Sequence, residues 1–234
     1  MAGRPLLATH DSSPITASCA CGGGCPTCQQ KSTLQGQTMR AYQPEPIDLC
    51  TDSSGPPVCQ FTDYQNATLR AVHGDARSVT QRALSAISRG DPYMATMAER
   101  VFHISNPDMT RIADTVAGIL DRLRSVPHTC GSCSDETCHI AGIAAYTADD
   151  LSHIVLCQPR FFSQNLFKQR RTLIHEAGHA FSIDAARVGS GADEHYCHDD
   201  SGVECTEPCG NLTGDLTENV DAWARFIECA AFRS

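Results

Sequence analysis

The chain has 234 residues, enough for one sizeable hydrophobic core with a small appendage. Its 27 acidic residues against 18 Lys and Arg give a net charge of −9, which argues against polyanion binding, so neither nucleic acid nor an anionic membrane is expected as a partner. No stretch approaches the roughly 18 apolar residues of a membrane span, and the 14 Cys point to disulfides, a metal cluster or both.

Residues 1–60 are rich in Gly, Pro, Ser, Thr and Gln and carry no sustained hydrophobic period. Such a segment cannot bury enough apolar surface to fold alone. It is expected to be a tail or leader, with residues 61–234 forming the folded domain. Met1 to Thr9 offers only Leu6, Leu7 and Ala8 as an apolar patch, short of a secretory signal. Either a signal has been removed, or export uses another route, or the chain is intracellular with reduced thiols; the cysteine content leads us to expect an oxidising, extracellular destination. Cys19, Cys21, Cys25 and Cys28 lie within ten residues, separated by glycines that let the backbone turn tightly. They can hold one tetrahedral metal or form local disulfides. Cys50 and Cys59 bracket a Ser-Gly-Pro-Pro turn, and a bridge between them would fasten the tail to the domain edge.

From Tyr64 the pattern becomes helical. Leu69, Val72, Ala76, Val79, Ala83 and Ile87 recur every three or four residues up to Gly90. Pro92 opens a shorter helix with Met94, Met97, Val101 and Phe102 on one side. Pro107-Asp108 opens a third, with Met109, Ile112, Val116, Ile119, Leu120 and Leu123 on its apolar face and Pro127 as its stop. Ile140–Tyr146 and Ser152–Cys157 are rich in β-formers and are expected to pair antiparallel across a Thr-Ala-Asp-Asp turn. Cys130, Cys133, Cys138 and Cys157 surround them, in a spacing that favours disulfides over a zinc knuckle. Cys157 is expected to tie the end of the second strand to the loop before the first.

The chemistry concentrates in Arg171-Thr-Leu-Ile-His175-Glu176-Ala-Gly-His179-Ala-Phe181. On a helix, residues four apart share a face, so His175 and His179 can reach one ion. Glu176 stands beside them as a base for a water on that ion. Leu173, Ile174, Ala177, Ala180, Phe181 and Ile183 make the helix a buried one. A catalytic zinc takes three protein ligands and an open position. A third His six residues after His179 is absent, since Ala185 stands there. The remaining ligands are Glu218, in the gluzincin manner, or Asp193, which follows Gly189-Ser-Gly191-Ala192 and precedes Tyr196 by three residues.

His175-Glu176-x-x-His179, a Gly-rich turn and Asp193-x-x-Tyr196 together resemble the aspzincin metallopeptidases, which include deuterolysin and the fungal peptidyl-Lys metalloendopeptidases. The likeness spans most of residues 64–234. It implies an α+β fold: a mostly helical zincin-like domain with a small antiparallel hairpin or sheet and an active-site helix. It implies Zn2+ held by His175, His179 and Asp193, with Glu176 as catalytic base and Tyr196 on the oxyanion. This chain departs from the family pattern in having Gly191-Ala192 where Gly-Thr is usual, Cys197 where Gly commonly follows the Tyr, and a longer gap between His179 and Asp193. The closing helix, Asn219-Val-Asp221-Ala-Trp223-Ala224-Arg-Phe226, is similar to the family's Asn-Ala-Asp helix. In Lys-specific members that helix sets two acidic residues three apart against the substrate ammonium. Asp221 matches the first and Ala224 occupies the place of the second, so a preference for Lys or Arg, weaker than in those members, is implied. The other reading of Asp221 is a supporting or capping carboxylate. Trp223 belongs to an apolar face with Val220, Phe226 and Ile227 and is expected in the core.

Cys19-x-Cys21-Gly-Gly-Gly-Cys25-Pro-x-Cys28-Gln29 is similar to leader segments of bacterial proteins associated with extracellular contractile injection systems. That likeness implies export as an effector cargo by an injection apparatus. The sequence thus leads to a secreted, monomeric zinc metalloendopeptidase acting on a protein or peptide. A non-catalytic metal-binding or structural protein is the other class. Its mark would be a lost His or Glu, and His175, Glu176 and His179 are all present.

Overall fold

The computed structural model describes residues 59–131, 135–140, 143–158, 160–183, 212–232 and the single residues Cys197, Cys205 and Cys209. All of them belong to one compact unit, residues 44–234. The tail cysteines Cys19, Cys21, Cys25 and Cys28 lie outside the described residues, as do Cys50, Cys133, Asp193 and Tyr196.

Helix α1, Asp63–Ser88, begins at a capping box in which the Thr62 hydroxyl accepts from Gln65 N–H while the Gln65 side chain accepts from Thr62 N–H. Its buried stripe is Val72, Ala76, Val79, Ala83 and Ile87, the face read from the periodicity. Helix α2, Pro92–Phe102, starts at Asp91 with Pro at its first turn and ends at the left-handed His103. Helix α3, Met109–Ser125, is capped by Asp108, whose carboxylate accepts from Thr110 and Arg111 N–H.

A three-stranded sheet follows, in the order β1-β3-β2. Strand β2, Ala145–Thr147, pairs antiparallel with β3, Ile154–Cys157, as the turn between them requires. Strand β1, His128–Gly131, pairs parallel to β3 and was not anticipated; its four residues are too few and too mixed to show a period. One-turn helices α4, Glu136–His139, and α5, Arg160–Ser163, flank the sheet. Helix α6, Leu166–Ala180, carries the His-Glu-x-x-His run, and α7, Val220–Phe232, closes the described chain. The architecture is mixed α+β, dominated by helices.

Helix α6 lies at the centre. It is packed by α1, α3 and α7, and β2 and β3 border it. The core around it joins Val79, Met97, Phe102, Ile119, Leu156, Leu173, Ile174, Trp223 and Phe226. Phe102 and Trp223 stack at 4.4 Å between centroids, and the indole N–H donates to Thr217 C=O, which satisfies the one polar atom the ring buries.

Disulfides brace the periphery. Cys138–Cys157 joins the segment before β2 to the end of β3, as expected. Cys59 pairs with Cys130 of β1, so the expected Cys50–Cys59 bridge does not form; Cys59 is beside β1 rather than paired within its own turn. Cys197–Cys209 and Cys205–Cys229 were not anticipated. Four disulfides among the described residues fit an oxidising compartment. Among the described residues no helix is long and apolar enough to cross a membrane.

Candidate metal centre

Helices α6 and α7 run antiparallel, and three contacts mark the ladder between them. At one end Arg170 and Arg171 of α6 hold Glu228 of α7, with N···O distances of 2.9 and 2.8 Å. Glu228 is fully buried, so these guanidinium groups supply the charge and hydrogen bonds that its burial demands. Arg170 also reaches Asp75 of α1 at 2.9 Å, which ties α1 to the same point. In the middle His175 meets Asp221. At the far end Gly178 faces Val220: a Cβ on residue 178 would collide with the Val220 side chain, so glycine sets how closely the helices approach beside the histidines.

His175, Glu176 and His179 are all buried, at 6, 5 and 6 % exposure. Burial on three sides by helix and sheet leaves their polar atoms dependent on partners within the protein. His175 Nδ1 lies 3.3 Å from Asp221 Oδ1. His179 Nδ1 lies 3.3 Å from the Ile183 carbonyl oxygen. An ionised carboxylate and a carbonyl only accept, so a proton on each Nδ1 has an acceptor, the tautomer that leaves the Nε2 lone pairs for an ion. The two Nε2 atoms stand 3.2 Å apart.

The Ile183 carbonyl reaches His179 through the way α6 ends. Ser182 adopts φ +76°, a left-handed cap without glycine. Ser182 N–H then donates to His179 C=O, and Ile183 N–H to Gly178 C=O, the paired bonds of a Schellman turn. The turn folds residue 183 back under the helix, where its carbonyl accepts from the imidazole.

These residues fit a zinc ion. Two imidazole nitrogens at about 2.0–2.1 Å from a tetrahedral metal stand about 3.3 Å apart, close to the separation found. Each ring donates its other N–H to a fixed acceptor, the arrangement that orients metal-binding histidines. Among the described residues no group of three or more His, Cys, Asp and Glu side chains gathers to hold a metal. Asp193 and Tyr196, the expected third ligand and oxyanion donor, fall outside the described residues.

Glu176 is held by β2. The Thr147 hydroxyl lies 2.8 Å from Glu176 C=O and 3.0 Å from Glu176 Oε2. Thr147 is a site contact that the sequence reading missed. The sequence placed it in the turn after the first strand, whereas β2 runs on through Thr147.

Asp221 is buried against His175. It is 7 % exposed, and its second oxygen, Oδ2, accepts from Cys197 N–H at 2.7 Å. Burial works to raise its pKa, but the hydrogen bond and electrostatic pull of the His175 N–H, the Cys197 N–H and the Arg171 guanidinium outweigh it, so the carboxyl titrates below its ordinary range. Ala224 is fully buried. Neither residue is presented as a surface for a substrate side chain. The physical reason is the ladder: with residue 228 facing α6 and residue 221 two turns earlier, Asp221 is turned inward to His175.

Glu218 does not join the histidines. Its side chain is 75 % exposed and lies 3.6 Å from the equally open Arg111. Asn219 next to it caps α7 by accepting from Ala222 N–H. The gluzincin arrangement therefore has no geometric basis here.

No family model matches the chain, and no curated protein matches its sequence.

Proposed function

We propose that this protein is a zinc-dependent metalloendopeptidase with a zincin-like domain, using His175 and His179 as metal ligands and Glu176 as general base. The observation that carries the reading is the 3.2 Å approach of two imidazole Nε2 atoms, each ring anchored through Nδ1, with a buried carboxylate adjoining them. The aspzincin resemblance adds Asp193 as third ligand and Tyr196 as oxyanion donor.

Bound there, zinc supplies Lewis-acid activation of a water and of the scissile carbonyl. Glu176 takes the water proton as the new C–O bond forms and delivers it to the departing amine as the C–N bond breaks. Tyr196 donates to the oxyanion. Asp221 and Ile183 C=O hold the ligand rings in the tautomer that leaves Nε2 for the ion. Glu176 is buried, which keeps bulk water away from its carboxylate. Strand β2 is an edge of the described sheet and passes Glu176 at Thr147.

Export to an extracellular or otherwise oxidising setting, with residues 1–60 as leader, completes the proposal. Four disulfides support the setting. A preference for Lys or Arg next to the scissile bond rests on the aspzincin resemblance alone, since Asp221 faces His175 and Ala224 is buried. The test is metal analysis of the wild type beside a His175→Ala, His179→Ala double variant, together with cleavage of a denatured protein substrate. One zinc lost in the double variant, and cleavage lost with it, is the expected result. Unchanged metal content at this site would defeat the reading.

A further inference from the structure

We propose that Thr147 is a positioning residue for the general base: it holds Oε2 of Glu176 against the sheet and leaves Oε1 to take the proton. The inference rests on the peptidase reading and specifies how the base of that site is aimed.

A hydroxyl has one proton to give. Both neighbours of Thr147 Oγ1, Glu176 C=O at 2.8 Å and Glu176 Oε2 at 3.0 Å, are acceptors when the carboxylate is ionised. Its one proton is therefore shared between the backbone and the side chain of the same residue. The helix carbonyl fixes where the hydroxyl sits, and the hydroxyl then fixes one oxygen of the carboxylate. Thr147 itself is 6 % exposed, so the contact is shielded from bulk water.

The strand that carries Thr147 is held in turn. Thr147 pairs with Ile154 and Ala145 with Leu156 across the β2–β3 ladder. Beyond that, Cys138–Cys157 locks the end of β3 to the chain before β2. Thr147 is β-branched, which restricts its χ1 and favours the strand. A Glu side chain has three rotatable bonds of its own. Without an anchor its carboxylate samples orientations from which no proton can be taken, and small misplacements at a reacting centre cost up to about 10²-fold in rate. Thr147 does not touch the reacting atoms, because the proton moves from water to Oε1 and from Oε1 to the leaving nitrogen.

The experiment compares zinc-loaded, full-length wild type, Thr147→Val and Thr147→Ser on a quenched-fluorescent peptide, with zinc content measured on the same samples. Thr147→Val keeps the branched shape and deletes the donor. We expect kcat to fall about 10- to 100-fold with KM changed less than about 3-fold and zinc content unchanged. Thr147→Ser, which keeps the hydroxyl, should recover most of kcat. A crystal structure of metal-free Thr147→Val supplies a readout independent of turnover, with the Glu176 carboxylate expected to leave its place beside β2. Wild-type kcat in Thr147→Val, an unmoved Glu176 in that structure, or a Thr147→Ser as impaired as Thr147→Val would each overturn the inference. Should Thr147→Val not fold, the Ser variant is decisive by itself: it must keep most of kcat with Glu176 in place. A zinc-loaded wild type that cleaves nothing would defeat the peptidase reading, whereas an active wild type matched by Thr147→Val defeats only this inference.

Discussion

The carboxylate of Asp221 joins two parts of the chain, accepting from His175 Nδ1 at 3.3 Å and from Cys197 N–H at 2.7 Å. Residue 197 directly follows Tyr196, so the carboxylate that orients the His175 imidazole also holds the residue next to the proposed oxyanion donor. Cys197 is held a second time by its disulfide to Cys209.

Asp221→Asn tests that junction. The amide keeps one acceptor but sets an N–H₂ where either His175 or Cys197 needs an acceptor. Losing such a supporting hydrogen bond typically weakens metal binding 10- to 100-fold. We expect a shift of that size in zinc affinity, measured by competition with a chelator, and no change in the residue preferred at the cleavage site. A changed cleavage profile with unchanged zinc affinity would return Asp221 to the substrate pocket.

The Cys197–Cys209 bridge closes a short loop, a sequence separation of 12. The chain-entropy account assigns about 3 kcal/mol to a loop of that size. Replacing both residues by Ala should lower Tm by about 6–12 °C in a domain of this length, read by calorimetry under non-reducing conditions. Zinc affinity should fall as well, since Cys197 N–H loses one of its two restraints. A variant with unchanged Tm and metal binding would show that the bridge does not brace the site.

Acid should loosen the junction of α1 with β1. His128 of β1 stands edge-on to His73 of α1 with centroids 4.9 Å apart, and His128 Nε2 is buried without a hydrogen-bond partner among the described residues. Burial, and secondarily the neighbouring His73, lowers the His128 pKa from 6.5 to about 4. His73 is lowered too, by burial, against the pull of its hydrogen bond to Leu123 C=O and alongside the charge of Arg77. The unfolded chain binds the His128 proton first, near pH 6.5, so this contribution is complete above that pH and is lost as pH falls toward 4. Allowing for partial solvent access, the loss by pH 5 is about 1–2 kcal/mol. His128→Phe should therefore lose less stability than wild type between pH 7 and pH 5 in urea denaturation. Equal losses would contradict the assignment.

Much of this fold was legible because its helices are amphipathic in the plain sense. Val72 to Ile87 and Ile112 to Leu123 repeat at the helical spacing, and Pro92 and Pro107-Asp108 mark where two of the helices begin. His175, Glu176 and His179 were legible as a set because a single helix presents them. What the sequence left out depends on residues far apart in the chain. Nothing local to His128–Gly131 reveals a parallel partner at residues 154–157, and nothing near Cys59 selects Cys130 over Cys50. Asp221 could be read as a pocket wall or as a support until α7 was laid antiparallel to α6. Its orientation follows from that packing, which Glu228 with Arg170 and Arg171 fixes from two turns away. Arg170 and Arg171 next to a buried motif, with a lone Glu in an apolar helix, were a signal of that pairing that went unused.

The central claim is most directly tested by the turnover of Glu176→Gln with its zinc content matched to wild type. Glutamine keeps the shape, and its amide oxygen can still accept from Thr147, but it cannot take a proton at neutral pH. We predict peptide cleavage reduced by at least about 10²- to 10⁴-fold with the metal retained. Near-normal cleavage by the zinc-loaded variant would contradict the account.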